Sequence, residues 1–466
     1  MQIEEWKWTS LKNFNLKKIL KENLIIRSIV VLIGGAVFAQ ALPIIISPIL
    51  SRIYSPVAFG YFSTFSAISI MIGAIANFKY DMAIMNETDH RQSKGTYILS
   101  NFFTITSSIG IFLLALFFLK SELFKNNHID LFFLFLLLFS IIIYSLVITI
   151  NVYMNKLELF KKMARGQMLY GISYGLFAMS LGLISPSGLS LIYSFILSHL
   201  VQLIYLYFIL KKQPNYIEHN WDISLLIQQA KTNIAYPKFN ILSTFLNSAS
   251  SQLPIVMFAF LYSSEIAGQY SMTVRIVSIP IALVGAAIGN VFFKYATDYY
   301  KSNNEQKFNT LVSSTFKYLL LIGSIPLCII MVYGNDLFRI VLGSNWETAG
   351  EFAQLLSPLF LLTFVSSPLT HLFNVVSKQK YNLVFNIIFF VTKISSLLLT
   401  YTIYNDPYIA VLVYSLSGVL IVLGLNSYLL RIAKISILKT NLRTIGIFML
   451  VTFFISIPKI IIYFIY

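Results

Sequence analysis

The chain has 466 residues, of which 57% are hydrophobic and 11% are charged, with a mean hydropathy of +0.76 and a net charge of +16. A soluble domain has about 25% charged residues, so a chain of this length lacks the polar surface that a soluble enzyme needs. The composition therefore excludes a soluble enzyme and indicates a polytopic membrane protein.

The amino-terminal 27 residues carry six basic side chains and lack the short apolar core of a secretory signal. They are predicted to form a cytoplasmic tail, either unstructured or a helix on the membrane surface with Trp6, Trp8 and Leu11 on one side. After the tail, apolar runs bounded by polar residues predict thirteen spans. These are 28–50, 59–78, 96–119, 131–151, 166–184, 188–210, 235–262, 271–293, 311–333, 350–373, 382–404, 408–430 and 444–465.

The distribution of basic residues predicts the orientation of these spans. With the amino terminus inside, 27 of the 34 Lys and Arg residues lie on the cytoplasmic side and four lie outside. Cytoplasmic loops of membrane proteins retain basic residues. The excess positive charge therefore needs no nucleic-acid partner, and the protein is predicted to be a multi-pass membrane protein with a cytoplasmic amino terminus.

Two similar segments lie 208 positions apart. The first segment has Tyr54, Ser55, Gly60 and Ser63 where the second has Tyr262, Ser263, Gly268 and Ser271. A weaker similarity relates Glu122–Lys125 to Asp336–Arg339. An offset of six spans predicts two parallel repeats related by an axis along the membrane normal, with the substrate site between them. The predicted organisation is a tail (1–27), an N-lobe (28–210), a linker (211–234), a C-lobe (235–430) and one extra carboxy-terminal span (431–466).

The sequence contains no recognisable catalytic set, so no enzymatic activity and no cofactor are predicted. The histidines show no metal-ligand spacing, and the single cysteine, Cys328, excludes a disulfide within the chain. The histidines are His90, His128, His199, His219 and His371.

Charged residues inside the predicted spans are the better functional signal, because burying a charge in a membrane is costly. Lys393 lies at the middle of the eleventh span and Arg275 about one turn inside the eighth. The alternatives are that Lys393 pairs with another helix and that Arg275 reaches out to the interface. All acidic residues map to loops or span ends, so a cavity with these cations favours an anionic substrate. For coupling to a proton, Asp81 and His199 are the candidates.

The seventh span carries a stripe of neutral polar residues. Its members, Asn240, Ser243, Asn247 and Ser251, share one helix face. One interpretation is that this face lines a water-filled cavity and binds sugar hydroxyls. The alternative is that its small polar side chains pack against another helix. The stripe is therefore predicted to be the neutral part of a substrate site.

Several segments in this order resemble the oligosaccharide (O-antigen) flippases of the multidrug/oligosaccharidyl-lipid/polysaccharide (MOP) exporter superfamily. The segments are Leu50–Pro56 with Phe59-Gly60, Lys79–Ile84, Asn247–Pro254, Ala267–Ser271 with Arg275, Ile279-Pro280 with Gly285–Phe293, and Leu342–Trp346 with Ala349-Gly350. The usual members of this family have twelve or fourteen helices, so thirteen spans are a departure. The resemblance covers nearly the whole chain.

The resemblance implies an all-α, MATE-like fold of two six-helix bundles around a central cavity. It further implies flipping of undecaprenyl-diphosphate-linked oligosaccharide units for O-antigen, capsule or exopolysaccharide assembly, with membrane lipids, a polymerase and a chain-length regulator as partners. Arg52, Lys79, Arg275 and Lys393 would then be the basic residues of the cavity. The alternatives are a MATE-type multidrug exporter of the same fold and, from another class, a polysaccharide polymerase or ligase.

Overall fold

A computed structural model describes residues 42, 44–87, 89–118, 130–213, 223–436, 440, 444, 446 and 448–457. These residues are mainly helical, without a β-strand in the described ranges. The predicted helix in the amino-terminal tail lies outside the described residues. The segment Glu122–Lys125 and most of the first predicted span lie outside them as well.

Fourteen α-helices make up most of the described structure. They are α1 (Ile44–Ile53), α2 (Pro56–Gly73), α3 (His90–Phe117), α4 (Leu131–Lys156), α5 (Phe160–Ile184), α6 (Gly188–Lys211), α7 (Ile223–Thr232), α8 (Ala235–Leu261), α9 (Ser264–Lys301), α10 (Glu305–Leu342), α11 (Glu347–Leu369), α12 (Gln379–Ile403), α13 (Pro407–Ile432) and α14 (Phe448–Ile457). Turns of 3₁₀ helix at Tyr80–Met85 and Ser344–Trp346, and one turn of α-helix at Leu372–Val375, complete the list.

Ten of these helices are long and apolar enough to cross a membrane: α2–α6, α8 and α10–α13, with α11 counted together with its flanking turns. The protein is therefore a multi-pass membrane protein. The eighth predicted span lies within α9, which has 38 residues and falls outside the ten. The first and thirteenth predicted spans are described only as the short helices α1 and α14, so the number thirteen stays a prediction.

Side-chain caps fix several of the helix starts. The Ser55 hydroxyl accepts a hydrogen bond from the backbone N–H of Ala58 at the start of α2, where Pro56 occupies the first turn. Ser263 does the same for Ile266 at the start of α9. A hydroxyl at this position satisfies one of the N–H groups that the first turn leaves free. The two serines are counterparts in the sequence repeat, so the repeat marks two equivalent helix starts.

Helices α2 and α9 join the amino-terminal half (α1–α6) to the carboxy-terminal half (α8–α13). Gly60 and Gly268 face each other, and a Cβ on either glycine would overlap a backbone carbonyl of the other helix, that of Ser264 or of Pro56. Glycine therefore permits this close approach of two helices. We call this end of the bundle the Gly60 end and the opposite end, beyond α2, the Lys79 end.

Toward the Lys79 end, one glycine of each of these two helices contacts a residue of its own half. Gly73, the last residue of α2, lies against Tyr144 of α4. Gly289 of α9 lies against His371 of the carboxy-terminal half. The contacts of these glycines therefore cross between the halves at the Gly60 end and stay within each half toward the Lys79 end.

The short helix α7 lies in the connection between the halves and packs on the amino-terminal half at the Lys79 end. The Thr96 hydroxyl donates to the side-chain oxygen of Gln229 over 3.1 Å. The Asn233 amide donates to Glu87 Oε1 over 2.8 Å, and the Tyr80 hydroxyl donates to the Ala230 carbonyl over 3.2 Å. These hydrogen bonds tie the linker to α3 and to the loop that follows α2.

Candidate functional site

Arg275 of α9 reaches from the carboxy-terminal half into the amino-terminal half. Its guanidinium carbon lies 5.9 Å from the ring centroids of both Phe59 on α2 and Tyr174 on α5. Its Nη1 nitrogen is buried without a hydrogen-bond partner, and no carboxylate of the described ranges pairs with it. A buried donor without a partner is costly, so this nitrogen is a group from which a ligand can accept a hydrogen bond.

A cluster of aromatic side chains on α5 and α6 extends from Arg275 into the amino-terminal half. Tyr170 and Tyr174 are one helical turn apart, and the Tyr170 ring stacks on His199 with 4.2 Å between ring centroids. The Tyr174 hydroxyl and His199 Nδ1 are both buried and unpartnered in the described structure. Buried polar atoms normally have a partner, so this concentration of free ones marks a place for water or a ligand.

Sequence reasoning named His199 and missed the two tyrosines. The signal that could have found them is their spacing of four residues on α5, which puts both rings on one face of the helix. That spacing alone is common in packed cores. The two tyrosines indicate a binding site only because Arg275 lies next to them in the fold. Arg275 is 101 positions beyond Tyr174 in the chain, so the sequence does not show this proximity.

Lys393 of α12 has an aromatic environment of its own. Its Nζ lies 4.1 Å from the Phe389 ring centroid and 4.9 Å from the Tyr414 ring centroid. An ammonium over an aromatic face gains about 0.5–2 kcal/mol, which lowers the cost of placing the charge in the membrane. The described residues supply no carboxylate to this ammonium.

Helix α9 stands between the two cations. The Tyr270 hydroxyl donates to the Tyr414 hydroxyl over 3.3 Å, and Tyr414 in turn lies under Lys393. Tyr270 and Arg275 are five residues apart, so they leave α9 about 140° apart around its axis. Arg275 and Lys393 therefore belong to two aromatic clusters on different sides of one helix.

Lys79 and Asp81 form an ion pair in the turn after α2. Lys79 Nζ and Asp81 Oδ2 are 3.1 Å apart, and their side chains are only 8% and 2% exposed. Lys79 has φ +58°, and the Asn77 side chain accepts a hydrogen bond from its backbone N–H. The charge of Lys79 is thus balanced inside the protein, whereas Asp81 Oδ1 is buried without a partner.

Arg52 lies at the Gly60 end, near the end of α1, and its guanidinium donates to the backbone carbonyl of Pro48 over 3.1 Å. Its side chain is exposed. The neighbouring Ser51 joins the two halves, because its hydroxyl donates to the Leu342 carbonyl and its own carbonyl accepts from the Trp346 indole. Arg52 is therefore placed where the halves meet.

The polar stripe of α8 is open to its surroundings over most of its length. Ser243, Asn247 and Ser251 are exposed and Asn240 is half-buried. The Ser243 and Ser251 hydroxyls donate to carbonyls of their own helix, which leaves their lone pairs and the Asn247 amide for other partners. In the described part of the chain, no group of three or more His, Cys, Asp or Glu side chains is arranged to hold a metal ion.

The chain matches a protein-family model described as polysaccharide biosynthesis protein over residues 49–351. This range contains the segments from Leu50–Pro56 to Leu342–Trp346, so the resemblance seen in the sequence is confirmed. No curated protein sequence matches the chain.

Solved structures of the MOP superfamily share the fold. The lipid II flippase MurJ in an inward closed conformation gives a TM-score of 0.65 at 14% identity, covering 93% of this chain and 99% of that one. An inward-facing multidrug resistance MATE transporter gives 0.59 at 14% identity, covering 88% and 95%. A MOP transporter from Pyrococcus furiosus, described as having a binding pocket of reverse polarity, gives 0.53 at 13% identity, covering 88% and 96%.

Proposed function

The chain belongs to the polysaccharide biosynthesis protein family, and on this premise we propose that it is a flippase for undecaprenyl-diphosphate-linked oligosaccharide units. The single observation that carries the proposal is the buried, unpartnered Nη1 of Arg275 at the junction of the two halves. A guanidinium there has the geometry and charge to bind diphosphate oxygens. The units would enter O-antigen, capsule or exopolysaccharide assembly, beside a polymerase and a chain-length regulator.

The polar side chains around the halves supply the rest of the proposed site. The exposed face of α8, with Ser243, Asn247 and Ser251, offers hydroxyl and amide groups for sugar hydroxyls. The stacked rings of Tyr170 and His199 offer a flat apolar surface beside Arg275. Lys393 would hold a second anionic group of the same substrate, on the other side of α9.

The architecture of two halves that meet along α2 and α9 supports transport by alternating access. The halves touch at the Gly60 end through Gly60 and Gly268 and through Ser51, and at the Lys79 end the Asn86 amide donates a hydrogen bond to the Tyr236 hydroxyl of α8. The excess of basic residues in the loops of the Lys79 end makes that end cytoplasmic under the positive-inside rule. We therefore infer a bacterial inner membrane protein with a cytoplasmic amino terminus.

A multidrug exporter of the same fold is the rival proposal, and acidic residues argue against it. A cationic drug would need a carboxylate in the site. Asp81 is buried against Lys79, and Glu265 lies exposed in the first turn of α9. The described parts of the chain provide no carboxylate beside Arg275 or Lys393.

The test is the location of lipid-linked units in a strain that lacks this protein. We expect single units to accumulate on the cytoplasmic leaflet, to clear when the wild type is restored, and to persist with Arg275→Ala at an unchanged protein level. Loss of a hydrogen bond to a charged group costs about 1.5–3 kcal/mol of binding free energy. If this energy is lost from the transition state of transport, flipping slows roughly 10- to 150-fold. Unpolymerised units on the periplasmic leaflet would instead indicate a polymerase, and unchanged lipid with new drug sensitivity would indicate an exporter.

A further inference from the structure

A cavity of about 440 Å³ lies on the surface of α10, apart from the junction of the halves. It is next to the first four turns of α10, where the predicted span begins. The described residues that line it are Asn309, Thr310, Ser313, Ser314, Lys317, Tyr318 and Ile435. The opposite face of α10 carries the buried Phe308, Val312 and Phe316, which belong to the core of the carboxy-terminal half.

The lining is polar and carries a positive charge. Asn309, Ser313 and Lys317 follow one another at four-residue intervals along one helix face, and their side chains have no hydrogen-bond partner among the described residues. The nearby carboxylate of Glu305 is already bound by Lys434 over 2.8 Å. The cavity thus offers donors and one cation, with no free carboxylate in its described lining.

An apolar track starts at Tyr318, at the edge of the cavity, and continues along α10 toward the middle of the helix. Tyr318, Ile322, Ile325 and Ile329 are all exposed and are spaced three or four residues apart. In a membrane-spanning helix, such side chains contact acyl chains. A polar cavity at the end of the span, followed by an apolar track toward the membrane centre, matches the two parts of a lipid molecule.

We propose that this cavity binds the head group of an anionic phospholipid, specifically one of the phosphatidylglycerol type. Lys317 would hold the phosphodiester, and the Asn309 amide and Ser313 hydroxyl would hold the glycerol hydroxyls. One lysine matches the single charge of a phosphodiester better than the higher charge of a diphosphate. An ethanolamine head group would bring a second ammonium next to Lys317 without a carboxylate to receive it. Basic sites at the cytoplasmic side of membrane helices are known to hold anionic lipids.

The experiment is native mass spectrometry of the full-length protein released from bilayers of equal phosphatidylglycerol and phosphatidylethanolamine content. We expect the wild type to retain phosphatidylglycerol preferentially and Lys317→Ala to retain about fivefold less of it, the effect of about 1 kcal/mol per basic residue near a membrane surface. Lys307→Ala is the matched control, since Lys307 is exposed on the same helix and does not line the cavity. The Lys307→Ala protein should retain as much phosphatidylglycerol as the wild type.

Three outcomes would overturn the proposal. The first is equal retention of the two phospholipids by the wild type. The second is an equal loss with Lys307→Ala, which would indicate a general surface-charge effect. The third is displacement of the retained lipid by undecaprenyl phosphate, which would assign the cavity to the transported lipid. A Ser313→Leu variant that fills the cavity, with an unchanged elution volume on size-exclusion chromatography, should lose the lipid while keeping Lys317.

Discussion

The hydroxyl of Ser63 donates a hydrogen bond to the hydroxyl of Ser271 over 2.7 Å, across 208 positions of the chain. The same offset relates Gly60 to Gly268, which also touch each other. When a residue contacts its own counterpart, a two-fold axis passes close to the contact, as at a symmetric dimer interface. The repeated segment therefore meets itself at the junction of the halves, where alternating access would require the halves to part.

The first prediction concerns this junction. Cysteines at Ser63 and Ser271, in a Cys328→Ser background, should form a disulfide under mild oxidation, because the hydroxyl oxygens they replace are in hydrogen-bond contact. The cross-linked protein should stop flipping and should recover when it is reduced. The measurement is mobility on non-reducing gels together with flipping in proteoliposomes. Full flipping by the cross-linked protein would show that this contact persists throughout the cycle, and either single cysteine serves as the control.

The second prediction concerns Gly60. In Gly60→Ala the new methyl group meets the backbone carbonyl of Ser264, which cannot move without α9. Overpacking of this kind costs about 1–3 kcal/mol, so the closed Gly60 end should become less populated and flipping should slow about 5- to 150-fold. The rate of the Ser63→Cys/Ser271→Cys cross-link reports the closed population directly.

The control for this variant is Gly424→Ala. Nothing lies within 4 Å of a Cβ placed at Gly424, and alanine is favoured over glycine within a helix. This variant should flip at the wild-type rate. An unchanged cross-linking rate in Gly60→Ala would contradict the close approach of α2 and α9.

The hydropathy pattern predicted the limits of a helix well where the whole helix is apolar. The span 131–151 begins where α4 (Leu131–Lys156) begins, and 188–210 ends one residue before α6 does. The prediction 271–293 falls short of α9 (Ser264–Lys301) at both ends. A helix that continues beyond the membrane needs no apolar residues there. The hydropathy pattern therefore does not indicate the additional turns at the two ends of α9.

The candidate site was less accessible to sequence reasoning. Unpaired charge in a span pointed to Arg275 and Lys393, because the cost of burying a charge depends on residue type and depth. Their neighbours are set by packing between distant segments, as when Phe59 and Tyr174 meet Arg275. The partner of Lys79, by contrast, is only two residues away. Even there, the sequence named both residues and did not indicate that they pair.

The third prediction separates a structural role of Lys79 from a role in binding the substrate. Asp81→Asn leaves the buried Lys79 ammonium without its counter-charge, which should lower the free energy of unfolding by about 3–5 kcal/mol. The double variant Lys79→Met/Asp81→Leu should recover most of this loss, because both charges are removed together. Thermal unfolding in detergent measures both effects.

The exposed pair Lys434–Glu305 is the matched control for this ion pair. Its side chains are 67% and 70% exposed, so Glu305→Gln should change stability by less than about 1 kcal/mol. If Lys79→Ala kept full stability and abolished flipping, Lys79 would bind the substrate, as the family resemblance implies.

The last prediction concerns Lys393, whose ammonium lies over Phe389 and Tyr414. If this cation binds an anionic group of the substrate, Lys393→Ala should slow flipping roughly 10- to 150-fold through loss of a charged hydrogen bond. Lys393→Arg keeps the charge and should retain most of the activity. The measurement is the flipping rate in proteoliposomes at equal amounts of inserted protein.

Lys380→Ala is the control, because Lys380 is exposed at the start of the same helix. It should flip at the wild-type rate. Slowing of Lys393→Ala and Lys393→Arg to the same extent would mean that the site depends on the shape of the lysine packed against Phe389 and Tyr414 and not on its charge. Wild-type flipping by Lys393→Ala would remove this residue from the site and leave Arg275 as its cation inside the membrane.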